Sequence, residues 1–301
     1  MIYIEEIKRL LKQNRFLIVV NGNYSPFSIL PYSLKLIELI ADHNLLIIPS
    51  HTKAVIYNNK FDCENANNTQ EFYGNAIIHY MIGYAYTFNF RYIMYLDDDV
   101  FLNNAKSLYI LLKHFIDEGY EFSGAKNYKF YGRQSKNNMS EYLQNVVEKY
   151  SINMYFLLID VSKWIEKSAE INSYVGCDKD RIMKMFPEMT DDEYERFDRD
   201  WLDEPYSKIF MGAVHELKEM EVKCPDMGDY NGNFIATGVT LDWDIAPAMY
   251  HLWYSRVHSE NFQKIDDNSK LAKEIKIQVE RMHRLNDYAS EEFTKYLKET
   301  E

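Results

Sequence analysis

The segment RYIMYLDDDVFLN, residues 91–103, decides how the rest of the chain is interpreted. Residues 92–96 are aromatic or aliphatic, which is typical of a buried strand, and three aspartates follow them directly. Side chains alternate on an extended backbone, so Asp97 and Asp99 share one side of the strand, about 6.6 Å apart. Carboxylates this close repel each other. The segment therefore predicts a strand whose end requires a cation or a cationic partner.

The sequence around this segment predicts an α/β fold with a mostly parallel central sheet. Apolar residues at helical spacing predict helices over residues 5–14, 28–44, 74–89, 104–119 and 204–220, and short apolar runs predict strands over 16–20, 45–49, 92–96, 121–125, 154–160 and 221–225. Strand, helix and strand joined by short loops imply parallel crossovers. Residues 127–150 are polar and predict an excursion from the sheet, and the charged residues 178–200 predict a mobile lobe.

The predicted position of the aspartates suggests what they bind. Open α/β sheets bind ligands beyond the carboxyl ends of their strands, which is where Asp97 and Asp99 are expected. Two carboxylates there suit a hard divalent ion that is also held by a substrate diphosphate. The alternative is an acidic turn that caps the helix beginning near Asn104.

Composition limits the class of protein. The 301 residues are 47% hydrophobic, enough for a large core, and carry a net charge of −12, which argues against a broad basic face for nucleic acid. Cys63, Cys177 and Cys224 are sparse and in no metal-type spacing, which is typical of reduced thiols in the cytoplasm. The sequence shows no secretory signal and no apolar run near the roughly 20 residues of a membrane span. We therefore expect a soluble cytoplasmic protein (in the host cytoplasm if it is phage-encoded), with peripheral membrane contact left open.

Taken in order, several motifs resemble the GT-A-fold glycosyltransferases that carry an Asp-x-Asp motif, most of all the large inverting family of bacterial polysaccharide synthases. The resemblance covers roughly residues 15–260 and is carried by VVNGNYSP, GNAIIHYMIGYA, IMYLDDDV, WLDEPYSKIFMGAVHELKEMEVKCPD and MYHLWYSRVHS. It implies a GT-A (Rossmann-like) domain over residues 1–265, followed by a C-terminal helical extension over 266–301. Within that domain, residues 1–125 would bind the nucleotide sugar and residues 126–265 the acceptor.

The resemblance also implies roles for single residues. A divalent metal, Mn²⁺ or Mg²⁺, would be held by Asp97 and Asp99, with His251 (or His258) as a third ligand. The donor would be a nucleotide-diphosphate sugar, and its expected contacts are Asn21, Asn23, Tyr24, Ser25, Asn75, Asp97 and Arg256. An inverting reaction needs a carboxylate base, and Glu204 and Asp203, after Trp201, are the candidates.

These candidates have structural alternatives that the sequence leaves open. Asp203 and Glu204 are also typical of a helix N-terminus, and residues 21–26 of a simple turn. The histidines could be packing residues, Arg256 could form a surface ion pair, and Asn75 could cap its helix. Trp201, Trp243, Trp253 and Tyr254 suit stacking on sugars or bases, although core packing is the commoner role of such residues.

The acceptor is expected to be a glycan or another small hydroxyl compound. The alternative is a phage-encoded enzyme that modifies DNA at hydroxymethylated or already glycosylated bases, for which residues 125–138 are the basic, aromatic stretch. Two further functions stay open at this point. One is nucleotidyl transfer, and the other is binding of a nucleotide sugar without catalysis.

Overall fold

The computed structural model shows a mixed α/β fold with a six-stranded central sheet and a smaller four-stranded sheet. It describes residues 2–22, 30–42, 44–49, 55–56, 75–97, 100–126, 139–202, 206–228, 234–252 and 291–300. The strands of the central sheet are β1 (Phe16–Gly22), β2 (Leu45–Pro49), β3 (Val55–Ile56), β4 (Tyr92–Asp97), β6 (Phe122–Lys126) and β7 (Ile152–Asp160). They lie in the order β3-β2-β1-β4-β7-β6.

Strand directions confirm the predicted mixed sheet. β1 pairs in parallel with β2 on one side and with β4 on the other. β7 is antiparallel to both β4 and β6, so β6 runs in the same direction as β4, and β3 is antiparallel to β2. Four of the six strands thus share one direction. The predicted sheet, mixed and mostly parallel with flanking helices, is confirmed.

Helices cover both faces of this sheet, and the side chains of each strand divide between two apolar clusters. On β4, Ile93 and Tyr95 belong to one cluster, whereas Tyr92, Met94 and Leu96 belong to the other. A strand buried on both faces is expected to be apolar throughout, because neither set of alternate side chains meets water. This double burial explains the unbroken apolar run before Asp97.

The helices over residues 2–13, 30–41, 105–117 and 291–300 cover one face of the central sheet. The other helices cover the opposite face. In chain order the helices of both faces are α1 (Ile2–Gln13), α2 (Leu30–Ala41), α3 (Asn75–Thr87), α4 (Ala105–Asp117), α5 (Glu141–Tyr150), α6 (Val161–Glu166), α7 (Ser168–Asn172), α8 (Lys179–Met185), α9 (Asp191–Phe197), α10 (Ser207–Glu216) and α11 (Glu291–Thr300), with a π-helical turn over Asp198–Leu202. Asn104 caps α4 by accepting a hydrogen bond from the Ser107 N–H, and Gly119 follows that helix with φ of +62°. Both termini were predicted.

The second sheet was not predicted. It has the order β5-β10-β9-β8, formed by β5 (Val100–Leu102), β10 (Met249–Leu252), β9 (Phe234–Val239) and β8 (Asp226–Gly228), all antiparallel. The strand predicted over 221–225 is wrong, since there the structure shows one isolated bridge, Lys223 to Thr240. These strands are too short for their period to be visible before their partners are known.

Three other predictions about local structure are corrected. Residues 21 and 22 continue β1, although a turn was expected over 21–26. Within the predicted excursion, residues 141–150 form α5. The mobile lobe expected over 178–200 is instead α8, α9 and the π-helical turn, whose apolar side chains enter the core.

The C-terminal extension is described in its last part only. α11 packs against α1: Phe293 is fully buried, and the Tyr296 hydroxyl accepts from Lys8 Nζ and donates to Glu5. The division of the chain at residue 265 stays a prediction. None of the described helices combines the length and the apolarity needed to cross a bilayer.

Candidate active site

The sheet has a topological switch point between β1 and β4. From β1 the chain continues through α2 to β2 on one side, and it later enters β4 on the other side of β1. Loops beyond the carboxyl ends of two such strands diverge and leave a crevice, which is where α/β proteins bind ligands. Asn21 and Asp97 are paired in register at these two ends. The structure thus brings together two of the predicted site residues, one from each strand.

Asp97 is held by a tyrosine of its own strand. The Tyr95 hydroxyl donates a hydrogen bond of 2.8 Å to Asp97 Oδ1. Residues two apart on a strand share a face, which makes this contact possible. Asp97 is half-buried, whereas Tyr95 is fully buried. Burial raises the pKa of Tyr95 well above its usual range, and the negative charge of Asp97 raises it further, so this hydroxyl stays protonated as a donor.

Asn21 supplies an amide at the same place. Its side chain is 8% exposed and hydrogen-bonds to the Tyr95 hydroxyl, which lowers the pKa of Tyr95. The other end of the amide, Oδ1, is buried and has no hydrogen-bond partner among the described residues. A buried acceptor without a partner costs about 1–3 kcal/mol. A ligand or water that donates to Asn21 Oδ1 would remove this cost.

His251 reaches the same edge from the second sheet. It lies on β10 opposite Val100 of β5, the strand that follows the aspartates. Its ring is buried and stacks on Tyr155, with centroids 4.3 Å apart and planes inclined by 7°. β7 pairs with β4 as far as Phe156 and Leu96, so Tyr155 is next along β7, toward the Asp97 end. The structure thus places His251 at this end of the sheet through its stacking on Tyr155, which belongs to the apolar cluster opposite to that of Tyr95, and metal ligation by His251 stays a prediction.

The residues on either side of the predicted catalytic pair differ in their surroundings. Trp201, two residues before Asp203, is 4% exposed, and its Nε1 has no hydrogen-bond partner within the described part of the chain. It belongs to the π-helical turn, a form of helix that occurs often at functional sites. Tyr206, two residues after Glu204, lies close enough to Tyr95 to raise its pKa. Trp201 is therefore a packed core residue, while Trp243 is 52% exposed.

Several predicted residues cannot be placed in this geometry. Outside the described residues lie Asn23, Tyr24, Ser25, Asp99, Asp203, Glu204, Trp253, Tyr254, Arg256 and His258. Asn75 is the first residue of α3, and its side chain is likewise outside the described part. Among the described residues no three His, Cys, Asp or Glu side chains form a group that could hold a metal ion.

Sequence reasoning missed the tyrosines of the site. Tyr95 contacts Asp97, Tyr206 lies near Tyr95, and Tyr155 stacks on His251, but none of the three stands out in the sequence from core tyrosines. One signal was available for Tyr95: a hydroxyl in an otherwise apolar strand needs a partner, and Asp97 is two residues away on the same face.

Comparison with solved structures gives four partial matches, among them the two that follow. No protein-family model and no curated protein match the chain. A197 from STIV aligns over 77% of this chain and 96% of its own, with 10% identity and a TM-score of 0.33. A glycosyltransferase involved in the glycosylation of the major capsid of PBCV-1 aligns over 62% and 75%, with 14% identity and a TM-score of 0.27. We draw no conclusion on function from overlaps of this size.

Proposed function

We propose that this protein is a glycosyltransferase that moves a sugar from a nucleoside diphosphate to a hydroxyl acceptor. One observation supports the proposal most directly: Asn21 and Asp97 are paired at the switch point of the sheet, with Asp97 held by Tyr95. The buried Asn21 Oδ1, which has no hydrogen-bond partner among the described residues, is costly unless a ligand or water donates to it. The mixed α/β fold is consistent with a Rossmann-like glycosyltransferase.

Asp97 fits a divalent ion shared with the substrate. Mg²⁺-like ions are commonly bound through one or two carboxylates together with substrate phosphates, so a single described carboxylate is compatible with such a site. Asp97 and Asp99 would hold the ion, with His251 as a third ligand. When bound, the ion supplies positive charge that stabilises the charge developing on the departing diphosphate.

The other residues would bind the donor and activate the acceptor. Asn21, at the end of β1, would bind the nucleoside through its side-chain amide. Glu204, or Asp203 in its place, would accept the proton of the attacking hydroxyl on the opposite face of the sugar, as inversion requires. The proximity of Tyr206 to Tyr95 supports a position for this segment beside the donor.

The burial of Lys126 favours a small hydroxyl acceptor or a glycan over DNA. Lys126 is one of the cations in the basic stretch expected to contact DNA, yet it is 7% exposed and its ammonium pairs with Glu219. A buried, ion-paired lysine does not contribute to binding phosphates, which depends on accessible cations.

The proposal is tested by assaying release of nucleoside diphosphate from a panel of nucleotide sugars, with and without Mn²⁺. We expect metal-dependent release from one donor. Asp97→Asn should reduce this release by about 100-fold or more, because one lost electrostatic contact to a transition state costs 10²–10³-fold. Asp244→Asn, an exposed aspartate in the described part of the second sheet's loop, is the matched control.

Two results would contradict this assignment. Metal-dependent release that survives unchanged in Asp97→Asn would remove Asp97 from the site. Release of pyrophosphate in place of a nucleoside diphosphate would indicate nucleotidyl transfer.

A further inference from the structure

We infer that Tyr95 is a positioning residue, whose hydroxyl fixes the orientation in which Asp97 meets the donor. The inference rests on the proposed function and adds a residue to it that the sequence motif does not contain. Its basis is the contact of one fully buried hydroxyl with polar side chains from two neighbouring strands.

The ring and the hydroxyl of Tyr95 lie in different surroundings. The ring belongs to the apolar cluster that also holds Leu17, Val19 and Ile93. Phenylalanine would fill the same space without a polar atom to satisfy. The hydroxyl is therefore explained by its partners at the carboxyl edge, since a buried O–H that lacks a partner is destabilising.

The contact with Asp97 restricts the rotation of its side chain. Asp97 is the last residue of β4 and is half-buried, so the strand fixes its backbone more than its carboxylate. A hydrogen bond to an ionised acceptor is shorter and roughly twice as strong as one between neutral groups. The 2.8 Å bond from Tyr95 thus selects one orientation of the carboxylate.

The same hydroxyl connects neighbouring parts of the site. Asn21 at the end of β1 hydrogen-bonds to it, and Tyr206 before α10 lies close to it. Tyr95 is thus placed to fix the position of the Asp97 carboxylate on β4 relative to the Asn21 amide on β1. Groups that orient a metal ligand in this way affect metal affinity by 10–100-fold when they are removed.

The test compares Tyr95→Phe with Tyr92→Phe. Tyr92 lies on the same strand and is 1% exposed, but its ring faces the opposite apolar cluster and stacks near Arg91. Both variants remove one tyrosine hydroxyl from β4, and of the two only Tyr95→Phe removes the hydrogen bond from Tyr95 to Asp97. The first measurement is the side-chain orientation of Asp97 in a crystal structure of each variant. The second is the affinity for Mn²⁺ in the presence of a panel of nucleoside diphosphates, by calorimetry, together with the electron paramagnetic resonance spectrum of the bound Mn²⁺.

We expect Asp97 to change orientation in Tyr95→Phe alone, Mn²⁺ affinity to fall about 10–100-fold, and the spectrum to change. Tyr92→Phe should match the wild type in all three. An Asp97 that keeps its orientation in Tyr95→Phe overturns the inference, whatever the metal does. Wild-type protein that binds no Mn²⁺ with any nucleoside diphosphate overturns the proposed function, even where Asp97 moves as expected.

Discussion

His215 is a titratable residue outside the candidate site whose surroundings give the fold a pH dependence. Its ring stacks on Tyr150 and Tyr174, with centroid distances of 4.9 and 5.6 Å, and the residue as a whole remains partly accessible to solvent. Burial lowers the pKa of His215 below 6.5, and the positive charge of Lys149 lowers it further, against a smaller opposing effect of Glu216. Neutral imidazole is therefore favoured in the folded state.

We expect His215 to make the protein less stable as pH falls. Below pH 6.5 the unfolded chain binds a proton at this histidine, and the folded protein does so only at lower pH. The stabilisation is thus complete above about pH 6.5 and is lost as pH falls through the folded pKa. Urea unfolding at several pH values between about 5 and 7.5 measures this slope. His215→Phe, which keeps the stacking, should show a shallower slope, and an equal slope would contradict the assignment.

At this scale, sequence singled out Asn21 and Asp97, which the structure pairs at the ends of two strands, more readily than the tyrosines near them. Asp97 stands out because a carboxylate directly after an apolar strand has no place in a core, and Asn21 because it ends the neighbouring strand. Tyr95 and Tyr155 do not stand out, since tyrosine fits both a core and a site. Their roles depend on which strands become neighbours, and that information is absent from either segment alone.

Among the secondary-structure elements, α11 packs on α1 through a contact that a single substitution can test. Phe293 is fully buried in the apolar cluster that contains Ile4 and Ile7 of α1. Truncating a buried phenylalanine to alanine removes its apolar contacts and leaves a cavity, at a cost of about 3–5 kcal/mol. We expect Phe293→Ala to lower the free energy of unfolding by this amount in urea.

The matched control for this helix is Lys298→Ala. Lys298 is exposed, and surface substitutions of this kind change stability by less than about 0.5 kcal/mol. Equal stabilities of Phe293→Ala and Lys298→Ala would show that α11 does not dock on α1 in solution.

Elements with a clear apolar run or a long apolar period were predicted well, and short helices in charged sequence were predicted poorly, for a physical reason. β2 has the predicted bounds, and α3 and α4 differ from theirs by one or two residues at each end. α8 and α9 have seven residues each, and the charged residues around them hid the buried face formed by Ile182, Tyr194 and Phe197. Two turns of helix give too few repeats for periodicity to outweigh composition. Tertiary packing decides such segments.

At the scale of the whole molecule, residues 219–224 join the two sheets. Met220 N–H donates to the Phe122 carbonyl at the start of β6, and Cys224 Sγ accepts from the Lys126 N–H at its end. From the same segment, Lys223 exchanges backbone hydrogen bonds with Thr240, directly after β9. The second sheet, which carries His251, is thus tied to the edge of the central sheet by this segment.

A buried ion pair lies within this junction. Lys126 Nζ pairs with the Glu219 carboxylate and also donates to the Lys149 carbonyl, and both side chains of the pair are at most 10% exposed. Burial raises the pKa of Glu219, while the charge of Lys126 opposes that shift. Removal of one partner leaves the other charge buried without compensation, which costs about 3–5 kcal/mol.

We therefore expect Glu219→Ala to lower the free energy of unfolding by about 3–5 kcal/mol, and Lys126→Met combined with Glu219→Leu to recover most of that loss. Recovery is expected because apolar side chains of similar volume leave no buried charge. Urea unfolding of both variants and the wild type measures the difference. Because the junction positions the second sheet, Glu219→Ala should also weaken donor binding at the carboxyl edge of the central sheet, and the double variant should restore it. A Glu219→Ala protein as stable as the wild type would show that the pair is solvated and that the two sheets are held together by other contacts.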